Sequence, residues 1–504
     1  MRLPASAAVW VGALIALAAS ARAQSVPDRA AVAAPSAPLE LREVLESVDR
    51  FHPLWLAVEL ERERAEGELL AARGAFDTRL RAGGEGVPQG YYDRYTADLG
   101  IEQPTRLWGS RFFGGYRIGR GDFPSYLGGL ETNKAGELRA GVEVPLLRGG
   151  FTDAARTALR QGEIGRRAAE PRIELARLEI VRDASDSFWS WVAMGLNVEV
   201  ETRLLVAAQT RQEQLSGRAD RGAIPRIQLV DNERLIVDRR IRLRGAERDA
   251  QEAAIALSLF LRDERGRTSL PGRERLPSDF PAERLWGAEQ MRSDIERART
   301  SHPALRRLAL RRSEIEARYE LERNGLLPDL RLKLEGSRDL GRSEGGIDTD
   351  GSFASDSRDD TEVKASLRLE LPVAQRRARG RVLALRAQLR RLDLEARLAR
   401  DRIEAEVRTA MSDLSAAFDQ TVLARKNLDL ARELERAEVR KLMLGSSDLI
   451  AVNIREIQTA DAARALIFAQ AAYFRSVARY RAAMAAAGEP HPSDALADGP
   501  ASPG

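Results

Sequence analysis

Side chains able to carry out chemistry are few, and their spacing gives them nothing to do together. The chain has three histidines and no cysteine, so thiol nucleophiles, thiolate metal sites and disulfides have no place in it. His52 and His302 each precede a proline, and His491 stands in a Pro/Gly-rich tail. No metal-ligand spacing surrounds them. The glycine-rich run GGYRIGRGDF (114–123) lies among strand-like residues; a phosphate-cradling loop belongs between a strand and a helix. Catalysis is not expected, and neither cofactor nor metal is implied. The carboxylates Asp231, Asp448 and Glu456 follow the turn glycines Gly222 and Gly445 by nine, three and eleven residues.

Charge points the same way. The 80 basic and 76 acidic residues nearly cancel, and they interleave, as in ERERAEGELLAARG (61–74). A nucleic-acid surface would gather its basic residues into a patch with aromatic partners. Here they read as solvated helix faces.

The elements that position these residues come in two copies. The stretch 52–86 aligns without a gap on 302–336, with His52-Pro53 on His302-Pro303 and Glu85-Gly86 on Glu335-Gly336. GVEVPLLR (141–148) matches RLELPVAQ (368–375), Pro145 on Pro372, and RGAIPRIQLVDNE (221–233) matches LGSSDLIAVNIRE (444–456), Gly222 on Gly445. The chain is an internal tandem duplication. Ahead of it, Arg2, an apolar run from Ala7 to Ala19 and Ala21-Arg22-Ala23 form a secretory signal peptide, 1–23, cleaved after Ala23. A flexible linker, 24–39, follows.

The first repeat is expected over 40–270: a helix, strands at about 77–88 and 137–146, a long helix 151–221 and a helix 223–262. An inter-repeat linker occupies 271–287. The second repeat, 288–486, has a helix, strands at about 328–338 and 362–372, a long helix 377–444 and a helix 446–486. A disordered tail, 487–504, closes the chain. Each long helix, of roughly 70 residues, would reach about 105 Å. Seams stepping by three and four follow the helices: Ala250, Ala254, Leu257 and Leu261; Leu423, Asn427, Leu430, Leu434 and Ala437; Tyr473, Val477, Tyr480 and Met484. This is coiled-coil spacing.

The strands alternate. In EVKASLRLEL (362–371), Val363, Ala365, Leu367, Leu369 and Leu371 share one face, and Glu362, Lys364, Ser366, Arg368 and Glu370 the other. A soluble sheet packed by its apolar face on a core shows this pattern, and so does a transmembrane barrel, with lipid outside and a wet lumen inside, in segments of about ten residues. The polar stretch 340–360 suits an extracellular loop. Four strands per chain cannot close a barrel, and an open edge has no place in lipid, so if these strands lie in a membrane, several chains must share one barrel. The aromatic segment 91–125 is an excess in the first repeat; it suits an extracellular hairpin or interfacial anchors.

The ordered duplication over about residues 40–486, with GVEVPLLRGG and the Gly breaks of the long helices, resembles the TolC-like outer-membrane efflux and secretion channels. That resemblance implies a mainly α chain with membrane β: a long coiled-coil tunnel in the periplasm and a transmembrane barrel, about four strands per chain, closed as a homotrimer. It implies an exit duct of a tripartite efflux pump or a type I secretion system, working with a periplasmic adaptor (membrane fusion) protein and an inner-membrane pump of RND or ABC type. The tip triplets Arg221-Gly222-Ala223 and Leu444-Gly445-Ser446 would receive the adaptor. Relatives often carry acidic rings six and nine residues after the second glycine. Ala451 and Ile454 stand there instead, with Asp231 and Asp448 near the same aperture, so closure by an apolar ring is expected. Val363 to Leu371 would face lipid. The competing reading is a periplasmic coiled-coil scaffold or adaptor without a barrel.

Overall fold

The computed structural model describes residues 37–284, 287–341 and 361–486. The signal peptide, most of the loop 340–360 and the C-terminal tail lie outside the described residues. In the first repeat, α1 (Leu41–Phe51) and α2 (Pro53–Arg73) lead into β1 (Arg79–Val87), β2 (Arg94–Pro104), β3 (Arg111–Gly121) and β4 (Glu137–Pro145), then α3 (Ala154–Asp220) and α4 (Ile227–Ser258). The second repeat has α5 (Ala288–Ser301), α6 (Pro303–Asn324), β5 (Asp329–Asp339), β6 (Thr361–Glu370), α7 (Arg376–Met443) and α8 (Leu449–Ala483).

The histidines are structural. Each His-Pro pair breaks one helix and starts the next, because proline at the first helical position gives up only an N–H that has no partner there. His302 Nδ1 accepts from the Ala304 N–H at 3.2 Å and so caps α6. His52 stacks on Phe260, ring centroids 5.5 Å apart, which brings the start of α2 to the end of α4. Two shorter helices thus meet end to end alongside the 67-residue α3.

Four helices lie abreast at every level. Toward the sheet the order is α2, α3, α6, α7; away from it the order is α4, α3, α8, α7. The apolar core sits at the waist between these levels. There Trp189 of α3 stacks on Phe474 of α8 at 4.4 Å, and Phe280 of the inter-repeat segment packs 5.8 Å from Trp189. Buried Tyr480 donates to Asp294 of α5 at 2.7 Å; burial pushes its hydroxyl well above the ordinary phenolic pKa, with the bond to Asp294 adding to the shift.

The strand count needs correction. The sheet has six strands in the order β1-β2-β3-β4-β5-β6, every neighbouring pair antiparallel. Segment 91–125 supplies β2 and β3, which enter the sheet between β1 and β4 rather than standing outside it. The seam Leu423–Leu430–Leu434 is exposed; α7 turns Leu414, Ala417, Thr421 and Leu428 inward instead. As an edge helix, α7 has one face on its own chain, and a second apolar stripe on the other side has no partner within this chain.

Candidate channel wall and tip

The sheet is inside out for a water-soluble protein. The register places Leu80 opposite Ile101, Leu99 opposite Tyr116, Phe112 opposite Val142, Val142 opposite Leu334, and Leu332 opposite Leu367. One apolar face therefore crosses all six strands. It is also the exposed face: Leu80 is 76 % exposed, and Leu367 and Leu369 are each 64 % exposed. On the inner strands the charged face is the more shielded one, with Glu102 and Asp329 side chains only 18 % and 16 % exposed, while the edge strands β1 and β6 expose both faces. In water the hydrophobic effect would turn such a sheet over.

The charged residues pair across the strands and, in β5, along one strand. Arg81 meets Glu102 at 2.9 Å, Arg111 meets Glu143 at 3.0 Å, Arg331 meets Glu143 at 3.1 Å, and Arg331 meets Asp329 at 2.8 Å. The result is a belt of alternating charge from β1 to β5. Phe113 is an apolar residue on this face. Its ring lies over Gly141, where a Cβ would come within 2.5 Å of it, and Lys333 Nζ sits 4.7 Å from the ring centroid. Ten or so residues rising about 3.3 Å each at a tilt near 40° span about 25 Å, the height of a barrel's apolar band. Aromatic residues mark both ends: Tyr91 and Tyr92 stand in the β1–β2 turn, and Trp108 in the β2–β3 turn packs 4.9 Å from Phe151. Such girdles suit membrane–water interfaces.

At the far end of the helices the two turns are built alike. Gly222 and Gly445 have φ of 71° and 77°, the left-handed region that glycine enters without strain. In each turn two N–H groups reach back to close the helix: Gly222 to Ala219 and Ala223 to Arg218, Gly445 to Leu442 and Ser446 to Lys441. Both are Schellman caps. Arg221, Gly222, Ala223, Leu444, Gly445 and Ser446 are all exposed, and nothing lies within 4 Å of a Cβ built on either glycine.

Asp448 is held as the N-cap of α8, accepting from the Ala451 N–H at 2.8 Å. Asp231 is exposed on α4, Ala451 is half-buried, and Ile454 is exposed with Ile450 one turn before it. Glu456, the nearest carboxylate in sequence, turns inward. It pairs with Arg211 of α3 and with Arg239 of α4 at 3.0 Å; Arg211 also bonds Asn453, and Arg239, only 2 % exposed, bonds the Leu204 carbonyl. Two turns further along α8, Arg464 pairs with buried Glu201 of α3. This clamp ties the α7–α8 hairpin to the α3–α4 hairpin. Sequence reasoning missed it: Arg239 stands in DRRIRLR (238–244), which reads as a solvated face, and only the helix crossing buries it.

Among the described residues no helix is long and apolar enough to cross a membrane, and no group of three or more potential metal ligands is present. No protein-family model and no curated protein matches the chain. Solved structures do. The Neisseria gonorrhoeae MtrE outer-membrane channel, in its open state, superposes with a TM-score of 0.60 at 15 % identity, over 88 % of this chain and 88 % of that one. The chain has the fold of the TolC-like outer-membrane channels. The Vibrio cholerae outer-membrane protein VceC superposes with a TM-score of 0.60 at 14 % identity, covering 88 % of this chain and 96 % of VceC. For the Campylobacter jejuni CmeC channel the TM-score is 0.59 at 14 % identity, over 91 % and 88 %. In this fold the sheet and the two glycine turns stand at opposite ends of the long helices.

Proposed function

We propose that three copies of this chain form an exit duct in the outer membrane, continued across the periplasm by the helical tunnel, for a tripartite efflux pump or a type I secretion system. The observation that carries this reading is the six-stranded sheet with one continuous apolar face exposed and both edges unpaired. An open edge and an exposed apolar face both cost free energy in water. Joined edge to edge in lipid, the copies remove both costs. The α2, α4 and α7 edge helices support it, since each leaves apolar residues such as Leu60, Ile241 and Leu430 uncovered.

The duct has no chemistry of its own. Its wall is wetted by paired charges, and its far end is closed by the tip. Arg221-Gly222-Ala223 and Leu444-Gly445-Ser446 serve as the docking point of a periplasmic adaptor, which couples the duct to an inner-membrane pump. Ile454, exposed and on the face of α8 away from the clamp, closes the resting aperture with its two symmetry mates as a narrow apolar ring. Asp231, Asp448 and Ala451 lie around it. A scaffold without a barrel is disfavoured, because it would leave a large apolar sheet in water.

Fractionation, followed by purification in detergent with mass measurement and single-channel recording, tests this reading. The protein should enter the outer membrane, resist extraction by salt, run as a trimer and conduct. A soluble periplasmic monomer would refute it.

A further inference from the structure

The hairpin β2–β3 changes the size of whatever these copies build together. It adds two strands, so β1 and β6 remain antiparallel edges of an even-stranded sheet. Edge-to-edge closure therefore stays all-antiparallel, as a membrane barrel requires. Three copies then contribute eighteen strands where the four of the duplicated framework would contribute twelve. We infer that the barrel has eighteen strands, is as wide as the helical tunnel beneath it, and is closed by Arg368 of one copy opposite Glu85 of the next. This rests on the duct reading above.

The widths follow from spacing. Strands about 4.8 Å apart and tilted near 40° make an eighteen-stranded ring about 36 Å across between backbones, against about 24 Å for twelve. Four helices abreast in each copy give a tunnel of twelve helices; at about 9 Å between axes that ring is about 34 Å across. Eighteen strands match the tunnel, and twelve would form a neck. Selection by size is thereby left to the tip.

The register comes from the duplication. Within the chain, β4 pairs with β5, and Gly141 faces Glu335. The repeat alignment places Gly141 on Arg368 and Glu335 on Glu85. The junction between copies, β6 against β1, is the repeat-related counterpart of β4 against β5, so Arg368 falls opposite Glu85 of the next copy. Independent features agree. Both residues lie on the charged face, and the same register sets Leu367 and Leu369 against Gly86 and Gly84 on the apolar face. A slip of one residue would reverse this. The charges are opposite, and Arg368 has no ion partner among the described residues of its own chain.

The absence of native cysteine makes the test direct. Opposed residues of antiparallel strands have Cα atoms about 4.5–5.5 Å apart, within disulfide reach. Oxidised membranes carrying Arg368→Cys with Glu85→Cys should yield covalent dimers and trimers on a non-reducing gel. Arg368→Cys combined with Gly83→Cys or Val87→Cys should yield at least fivefold less. Equal or stronger bridging at 83 or 87 would overturn the register. End-on electron micrographs of the unmodified protein in lipid nanodiscs should show a membrane ring about as wide as the helical ring; a ring two-thirds as wide would overturn the eighteen-strand barrel. A membrane-embedded trimer failing either test leaves the duct reading standing, whereas a soluble monomer removes both.

Discussion

Leu367→Arg tests the orientation of the sheet. Leu367 lies near the middle of β6, about two residues from its centre, with its side chain on the exposed apolar face opposite Leu332. Two residues at about 3.3 Å and a tilt near 40° put it about 5 Å from mid-depth. An arginine facing lipid there costs about 2–3 kcal/mol per copy, somewhat below the upper bound for the midplane. Three copies incur about 6–9 kcal/mol together, a shift of roughly four to seven orders of magnitude in the assembly equilibrium. That is comparable to the whole stability of an ordinary domain. Outer-membrane fractions should therefore lose the assembled trimer, read as an oligomer band on a mild detergent gel. Arg368→Leu, one residue away on the charged face, removes a charge from a wetted lumen and should assemble nearly normally. Equal assembly of the two variants, or loss of only the Arg368 variant, would refute the orientation.

Gly445→Trp should leave trimer and barrel intact while abolishing export in cells, because a side chain at positive φ strains the turn and would crowd the proposed docking point; export at the normal level would remove the docking role. Ile454→Asp should raise the resting conductance and make it sensitive to divalent cations, which three converging carboxylates would coordinate; strong cation block of the unmodified channel from the periplasmic side would overturn the apolar closure. Glu456→Gln leaves Arg211 and Arg239 buried without their carboxylate, a loss on the order of 3–5 kcal/mol per copy where a buried pair is broken; the tip should open more often in planar-bilayer recordings, with barrel assembly unchanged. The pH dependence has a defined sign: burial, with Arg306 nearby, lowers the pKa of His302 below its usual 6.5, so the unfolded chain binds the proton more readily and stability falls as pH drops below about 6.5. His302→Asn keeps a capping acceptor and should flatten that part of a thermal-denaturation profile measured against pH.

The helices, the alternating strands and the duplication that relates them are legible in the order of amino acids alone. These are local: His-Pro pairs, turn glycines and period-two alternation act within a few residues, so their signals survive without knowledge of the fold. EVKASLRLEL reads as a two-faced strand whatever surrounds it. Which face meets which neighbour was settled in three dimensions. The segment 91–125 carries enough glycine and aromatic residues to blur its alternation, and no repeat partner marks it, so its insertion as β2 and β3 emerges only when the register is formed. The Leu423 seam has coiled-coil spacing, yet whether it meets its own chain or another depends on α7 standing at the edge of the four-helix layer. The clamp of Glu456 with Arg211 and Arg239 joins residues more than 200 positions apart. An arginine in a charged run is the same residue in solvent or at a helix crossing; burial, which comes from packing between distant segments, turns it from a solvated charge into a structural tie.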